Sequence, residues 1–260
     1  MDLNLTGRTA LVTGASRGIG LAVAQRFAAE GVRLHLAARS AEQLGSAAAE
    51  LRQNFAVTVA IHTSDLSLPA EREHLVQQVG DVDILVNNAG AIPSGTIEEL
   101  DDKTWRSAWE LKLFGFIDLT RAYFARMKEK RSGVIINVIG AAGERPDYNY
   151  VAGSAANAAL MSMTRALGGV SPDFNLRVVG INPGGVATER RVAQAKRNAQ
   201  RRFGDESRWQ EFYANMPFGK PQSPEQISAL AAFLASDLAG YITGTTITAD
   251  GGVVSRGQHH

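Results

Sequence analysis

The sequence predicts an α/β protein: a single doubly wound domain, residues 1–260, with a parallel sheet of about seven strands and helices on both faces. Three observations carry this. Short β-branched or Leu-rich runs alternate with longer stretches of helical spacing, the order that yields parallel pairing. The strand runs are almost continuously apolar, as in a sheet covered on both sides. The first of them ends in a glycine-rich turn that opens a helix, an arrangement that can receive a phosphate.

Thr9–Thr13 is the first predicted strand, followed by the turn Thr13–Gly20 and a helix over Ile19–Glu30. Arg33–Ala38 reads as strand and Ala41–Asn54 as helix. Strands follow at Val57–His62 and Asp83–Asn87, then a long helical stretch over Trp105–Arg131. Val134–Ile139 is the next strand and Ser154–Gly169 the next helix. Arg177–Ile181 and Thr245–Thr248 complete the sheet. No repeat and no low-complexity linker interrupts the alternation, so a second domain is not predicted.

Composition narrows the function classes. An apolar fraction of 45% and a charged fraction of 20% exclude a disordered chain. The absence of cysteine excludes disulfides and thiolate chemistry, and a reducing cytoplasm is the natural setting. A net charge of +1 gives no bulk attraction to nucleic acid or membrane. No charged stretch leads into an apolar one near Met1, so no secretory signal is predicted. Apolar runs such as Val134–Ile136 fall far short of the ~20 residues that span a bilayer.

The turn Thr13-Gly14-Ala15-Ser16-Arg17-Gly18-Ile19-Gly20 holds the most specific pattern. Its glycines let the backbone approach a pyrophosphate whose charge sits at the positive end of the helix. The spacing is GxxxGxG rather than GxGxxG. Together with Asp65-Leu66, Asn87-Asn88-Ala89-Gly90, Pro183-Gly184-Gly185-Val186-Ala187-Thr188 and Asp250-Gly251-Gly252, the turn resembles the short-chain dehydrogenase/reductase family over essentially the whole chain. The resemblance implies a Rossmann-type fold that binds a nicotinamide dinucleotide. It places Gly14, Ser16, Arg17, Gly18, Ile19 and Gly20 at the phosphates and Asp65 with Leu66 at the adenine. Asn88, Ala89 and Gly90 would line the ribose. Pro183, Gly184, Val186 and Thr188 would hold the carboxamide. An ordinary strand-closing turn is the other reading of Asn87–Gly90.

Charge points to the choice of dinucleotide. The residue that selects NAD is a carboxylate at the end of the second strand. That position is Ala38 here, followed by Arg39 and Ser40, with Arg17 in the glycine turn. Two guanidiniums and no acid favour a 2′-phosphate, hence NADP(H) over NAD(H). The alternative is that Arg39 is a plain surface cation.

The catalytic pattern of the family is broken. Its proton chemistry uses an asparagine, a serine, a tyrosine and a lysine four residues beyond the tyrosine. Anchored on Gly133–Val138 and Ala158-Ala159-Leu160, these positions fall on Lys112, Gly140, Gly153 and Asn157. Tyr148 and Tyr150 are followed four residues later by Ala152 and Ser154, and no lysine lies between Arg131 and Arg191, so no shift restores the pair. Lys112 and Asn157 look exchanged, which would bring an amine into the same cavity from the opposite helix. Tyr150, Gly153 and Asn157 share a helical face if their helix starts early enough, letting a phenol enter the space at Gly153. Against this, Lys112 pointing to solvent and Tyr150 packing in a loop or an oligomer interface are equally ordinary outcomes.

Between Glu189 and Arg208 lie Arg190, Arg191, Lys196, Arg197, Arg201 and Arg202, followed by Trp209, Phe212, Tyr213, Met216 and Phe218. In the family, the segment around 188–220 covers the substrate cleft. A basic rim over an aromatic floor would suit an anionic substrate with an apolar body; a solvated helix face is the other reading. His35, His62 and His74 are scattered and His259-His260 stand alone, so no metal is predicted. His259-His260 read equally as a native tail or a tag remnant. The expected partners are a small-molecule substrate and further copies of the chain, as a dimer or tetramer, with no nucleic acid or membrane. Two functions remain: an NADP(H)-dependent oxidoreductase with a non-standard site, or a dinucleotide-binding sensor or partner subunit without turnover.

Overall fold

The structure, a computed structural model, describes residues 2–256 apart from the side chains of Arg190 and Gln194; His259-His260 lie outside the described residues. Seven parallel strands form one sheet: β1 (Thr9–Thr13), β2 (Arg33–Ala38), β3 (Val59–Thr63), β4 (Ile84–Asn87), β5 (Gly133–Val138), β6 (Leu176–Pro183) and β7 (Thr246–Ala249). Their spatial order is β3-β2-β1-β4-β5-β6-β7. The chain winds outward one way from β1 and then, after β3, the other way from β4, which creates a crevice between β1 and β4 at their C-terminal ends. The sheet therefore has the predicted class and strand number.

Helices cover both faces. On one, α1 (Gly18–Ala29), α2 (Ala41–Asn54) and α8 (Pro224–Ala235) bury Val23, Phe27, Leu44, Leu51, Ile227 and Ala231 against Val12, Leu34, Leu36 and Ile136. On the other lie α3 (Pro69–Val79), α4 (Asp102–Trp109), α5 (Gly115–Lys130) and α6 (Val151–Val170). There Leu75, Leu119, Tyr123 and Met127 pack on Leu11, Leu85 and Ile135. The strands interpose alternate side chains between two cores, so nearly every position is apolar. A further helix, α7 (Glu189–Phe203), runs over the ends of the strands and is followed by 3-10 turns at Glu206–Tyr213 and Pro217–Gly219. No helix among the described residues is long and apolar enough to cross a membrane.

Three elements start two residues or more from where the sequence reading put them. β3 begins at Val59, because the Val57 amide folds back on Phe55 O at 2.9 Å. The long helix begins at Asp102, where Asp101 caps it by accepting the Thr104 amide at 2.7 Å. It is also not one regular helix: Glu110–Phe114 form a π-turn between α4 and α5. Finally, α6 starts at Val151, with Tyr150 at its cap in a non-helical conformation.

A buried polar network fastens the back of the crevice. Asn87 Nδ2 donates to Thr120 Oγ1 (3.0 Å) and to Asn137 Oδ1 (2.9 Å). Asn137 Nδ2 donates to Thr164 Oγ1 at 3.0 Å, which in turn donates to Leu160 O. Adjacent strands β4 and β5 are thereby joined to α5 and α6.

Candidate active site

A cavity of about 1240 Å³ lies over the C-terminal ends of the strands. One half is built by β1 and β2. Gly14 and Gly18 have φ values of +66° and +59°, a left-handed backbone that a side chain disfavours. A Cβ on Gly20 would overlap Gly14 O, so this glycine permits the helix to close on the strand. Asn88 stitches the crevice by donating from Nδ2 to Thr13 O (3.0 Å) and Gly14 O (3.3 Å). Arg17 stands at the cap of α1 with no side-chain capping bond, and the first turn holds no acid. The first amides of α1 thus face the cavity with their partial positive charge available to an anion.

Gly14, Ser16, Arg17, Gly18, Ile19, Arg39, Leu66, Asn88, Ala89, Gly90, Pro183, Gly184, Val186 and Thr188 all line this one cavity. Ala38 and Ser40 line it beside Arg39, and neither Arg17 nor Arg39 forms an ion pair among the described residues. An open helix terminus, a glycine cradle and two unpaired guanidiniums fit a dinucleotide with an additional phosphate. Two residues expected at the dinucleotide, Gly20 and Asp65, are not on the cavity lining. Gly20 is a packing position, and the Asp65 carboxylate accepts from the Ser67 amide (3.1 Å) and hydroxyl (2.7 Å), off the cavity wall.

The other half is built from side chains that occupy the space beside glycines. Lys112, on the π-turn, does not point to solvent: it is 8% exposed and donates from Nζ to Val138 O at 2.7 Å. Its Nζ lies 4.4 Å from the centre of the Phe116 ring, and a Cβ on Gly90 would meet Lys112 Cδ at 2.6 Å. With no carboxylate beside it, burial alone pulls the amine from its usual 10.5 down to about 7. Asn157 Nδ2 fills the space at Gly140, 2.8 Å from where its Cβ would stand, while the buried Asn157 Oδ1 accepts no hydrogen bond. At Gly153 a Cβ would overlap the edge of the Tyr150 ring at Cζ and Cε1, 2.6 Å from its hydroxyl. The phenol therefore enters from the cap of α6, not from a shared helical face, and its hydroxyl ends where a tyrosine at 153 would only begin. Lys112, Gly140, Tyr150 and Asn157 line the cavity together; Gly153 lies behind Tyr150.

The basic segment behaves differently from the rim expected of it. Of its cations with described side chains, only Arg191 lines the cavity; Arg197, Arg201 and Arg202 are exposed, and Arg208 pairs with Glu211 at 2.8 Å. Trp209, Phe212 and Tyr213 also lie off the wall, whereas Met216 and Phe218 are on it. Arg145, Lys220 and Arg256, which sequence reasoning missed, join Arg191 there, with Asp147, Glu189 and Asp250 as the opposing charges. Nothing in their spacing marks them, since three separate loops bring them together. Among the described residues no cluster of His, Asp or Glu is suited to a metal.

With this geometry in view, the similarities to known proteins are specific. Residues 8–199 match the short chain dehydrogenase family. The chain is 33% identical over 253 residues to galactitol 2-dehydrogenase (L-tagatose-forming) of Cereibacter sphaeroides, covering 95% of each. It is 32% identical to the 3-oxoacyl-acyl-carrier-protein reductase of Escherichia coli, over 96% of this chain and 99% of that one. The crystal structure of L-sorbose reductase from Gluconobacter frateurii, complexed with NADPH and L-sorbose, is similar with a TM-score of 0.94 and 33% identity. It covers 98% of this chain and 100% of that chain. The chain belongs to the short chain dehydrogenase family.

Proposed function

We propose that this oxidoreductase interconverts a carbonyl and an alcohol with NADP(H), using Lys112 as its proton-bearing group. The observation that carries the reading is the placement of Lys112 Nζ, buried in the cavity wall between Gly90 and Val138 without a counter-ion. NADPH, when bound, supplies the hydride. The α1 terminus and the glycine turn hold its phosphates, and Arg17 with Arg39 pair the 2′-phosphate. Only one of the three ammonium protons is committed to Val138 O. A second is free to meet the substrate oxygen, where a preorganised cation stabilises the charge that develops. An amine titrating near neutrality can also release that proton and recover it. Asn157 adds an amide on the same wall. An anionic group on the substrate would meet Arg145, Arg191, Lys220 and Arg256, and an apolar body would meet Met216, Pro217 and Phe218.

Similarity to an L-sorbose reductase crystallised with NADPH and to a 3-oxoacyl reductase supports the cofactor and the reaction class. Lys112→Met should abolish NADPH-dependent reduction across a panel of ketoses, ketones and 3-oxoacyl thioesters while leaving NADPH affinity within a few-fold. Full turnover by that variant would overturn the reading. One observation favours binding without turnover: Tyr150 and Asn157 fill the space at the two glycines, where the family carries its reactive hydroxyls. Tight NADPH binding with no turnover on the whole panel would select that alternative.

A further inference from the structure

Arg72 lies on α3, away from the cavity, yet it is only 3% exposed. Burying a guanidinium is costly unless its donors are satisfied, so its partners say what it is for. Nη1 donates to Leu66 O at 3.0 Å and to Glu110 O at 3.1 Å, and Nη2 donates to Glu110 Oε2 at 3.3 Å. Nε lies 2.9 Å from Asp118 Oδ2, an ion contact off the N–H axis. Leu66 O is in the loop that walls the cavity, Glu110 opens the π-turn, and Asp118 lies in the first turn of α5.

Glu110 O is the carbonyl on which the π-turn depends. It takes the Gly115 amide across five residues, where an α-helix would offer it the Phe114 amide. Arg72 adds a charged donor to that same carbonyl and ties both flanks of the turn, Glu110 and Asp118, to one rigid group. Lys112 sits at the middle of the turn. If the segment relaxed to α-helical hydrogen bonding, the residues on one side of it would rotate by about 100° relative to the other. Lys112 could not then keep both its own cavity wall and its bond to Val138 O.

We propose that Arg72 is the positioning residue of this site: it holds the π-turn open and thereby keeps Lys112 buried against Val138. The inference rests on the reading that Lys112 faces the reaction, but its test requires neither cofactor nor turnover. Lysine Cε and Nζ resonances, with Lys112→Met for assignment, give the titration of Lys112 directly. In the unmutated protein Lys112 should titrate about 7. In Arg72→Met it should move upward by about one unit or more as the amine gains water. Arg72→Lys, which can hold one of the two carbonyls, should give a smaller upward shift. A lower melting temperature with an unshifted Lys112 would reduce Arg72 to structural glue and overturn the proposal. Should Arg72→Met fail to fold, Arg72→Lys decides, and an unshifted Lys112 there overturns it equally. A shifted Lys112 in a protein whose Lys112→Met variant still turns over would leave the clamp standing and remove the catalytic reading.

Discussion

The two halves of the cavity use glycine in opposite ways. In the half formed by β1 and α1, a side chain at Gly20 would collide with backbone, and Gly14 and Gly18 adopt positive φ. Main chain cannot step aside, so these positions demand glycine whatever the rest of the protein contains. In the half formed by the π-turn and α6, the space beside Gly90, Gly140 and Gly153 is taken by Lys112, Asn157 and Tyr150. There the glycine is one member of a pair, and its identity depends on its partner. A half made of backbone tolerates no exchange; a half made of paired side chains can be recomposed.

The largest expected effect tests whether the recomposed half holds a desolvated charge. Lys112 titrates near 7 when folded and near 10.5 when free, so the unfolded chain binds more protons between those values and stability rises with pH across the window. Full stability is present above 10.5 and is lost as the pH falls toward 7. Lys112→Met should be the more stable protein at pH 7. Its advantage should shrink by about 3–5 kcal/mol toward pH 10, as read from urea midpoints. A gap that does not change with pH would show that the amine is not buried as described.

Next in size is the contrast between the two kinds of glycine. Gly20→Ala should cost about 2–3 kcal/mol with no second substitution that restores it, because backbone is the obstacle. Gly153→Ala should cost about 1–3 kcal/mol, and Tyr150→Ala should recover at least about 1 kcal/mol of that in a double-mutant cycle. Additive costs would dissolve the contrast. By the same logic, Gly153→Tyr with Asn157→Lys can create a family-like site only when Tyr150 is truncated as well. The smallest effect concerns the backbone half. Arg39→Ala should reduce the preference for NADPH over NADH by about tenfold, on the order of 1.4 kcal/mol, measured by calorimetry. An unmutated protein that binds both dinucleotides equally would refute the assignment.

The backbone half was legible because its constraints are local. Glycine spacing, a strand before it and a helix after it follow from a few consecutive residues, and Ala38-Arg39 follows from counting along the next strand. Strand positions were legible for the same reason, to within two residues. The other half was legible only as alternatives: Lys112 inward or in solvent, Tyr150 in the space at Gly153 or packed elsewhere. That Lys112 turns inward depends on a π-turn, and a 3.6-residue period does not reveal one extra residue in a turn. That Tyr150 reaches Gly153 depends on where α6 begins. Arg72 carried no mark at all, since a lone arginine in a polar helix has the same pattern whether solvated or buried; only the fold brings it to Glu110 and Asp118.

The asparagine and threonine network behind the crevice has a mechanical consequence. Asn87, Thr120, Asn137 and Thr164 weld two strands and two helices into a wall whose parts cannot separate without exposing several unpaired donors and acceptors at once. Such a wall opens only in a near-global unfolding event. Elsewhere on the cavity wall, by contrast, Met216, Pro217, Phe218 and Lys220 lie in a turn held by bonds between residues near in sequence, among them Gly219 N to Met216 O. Any local loosening that widens the cavity therefore falls to that turn more readily than to the welded wall, at a free-energy cost well below that of unfolding the whole chain.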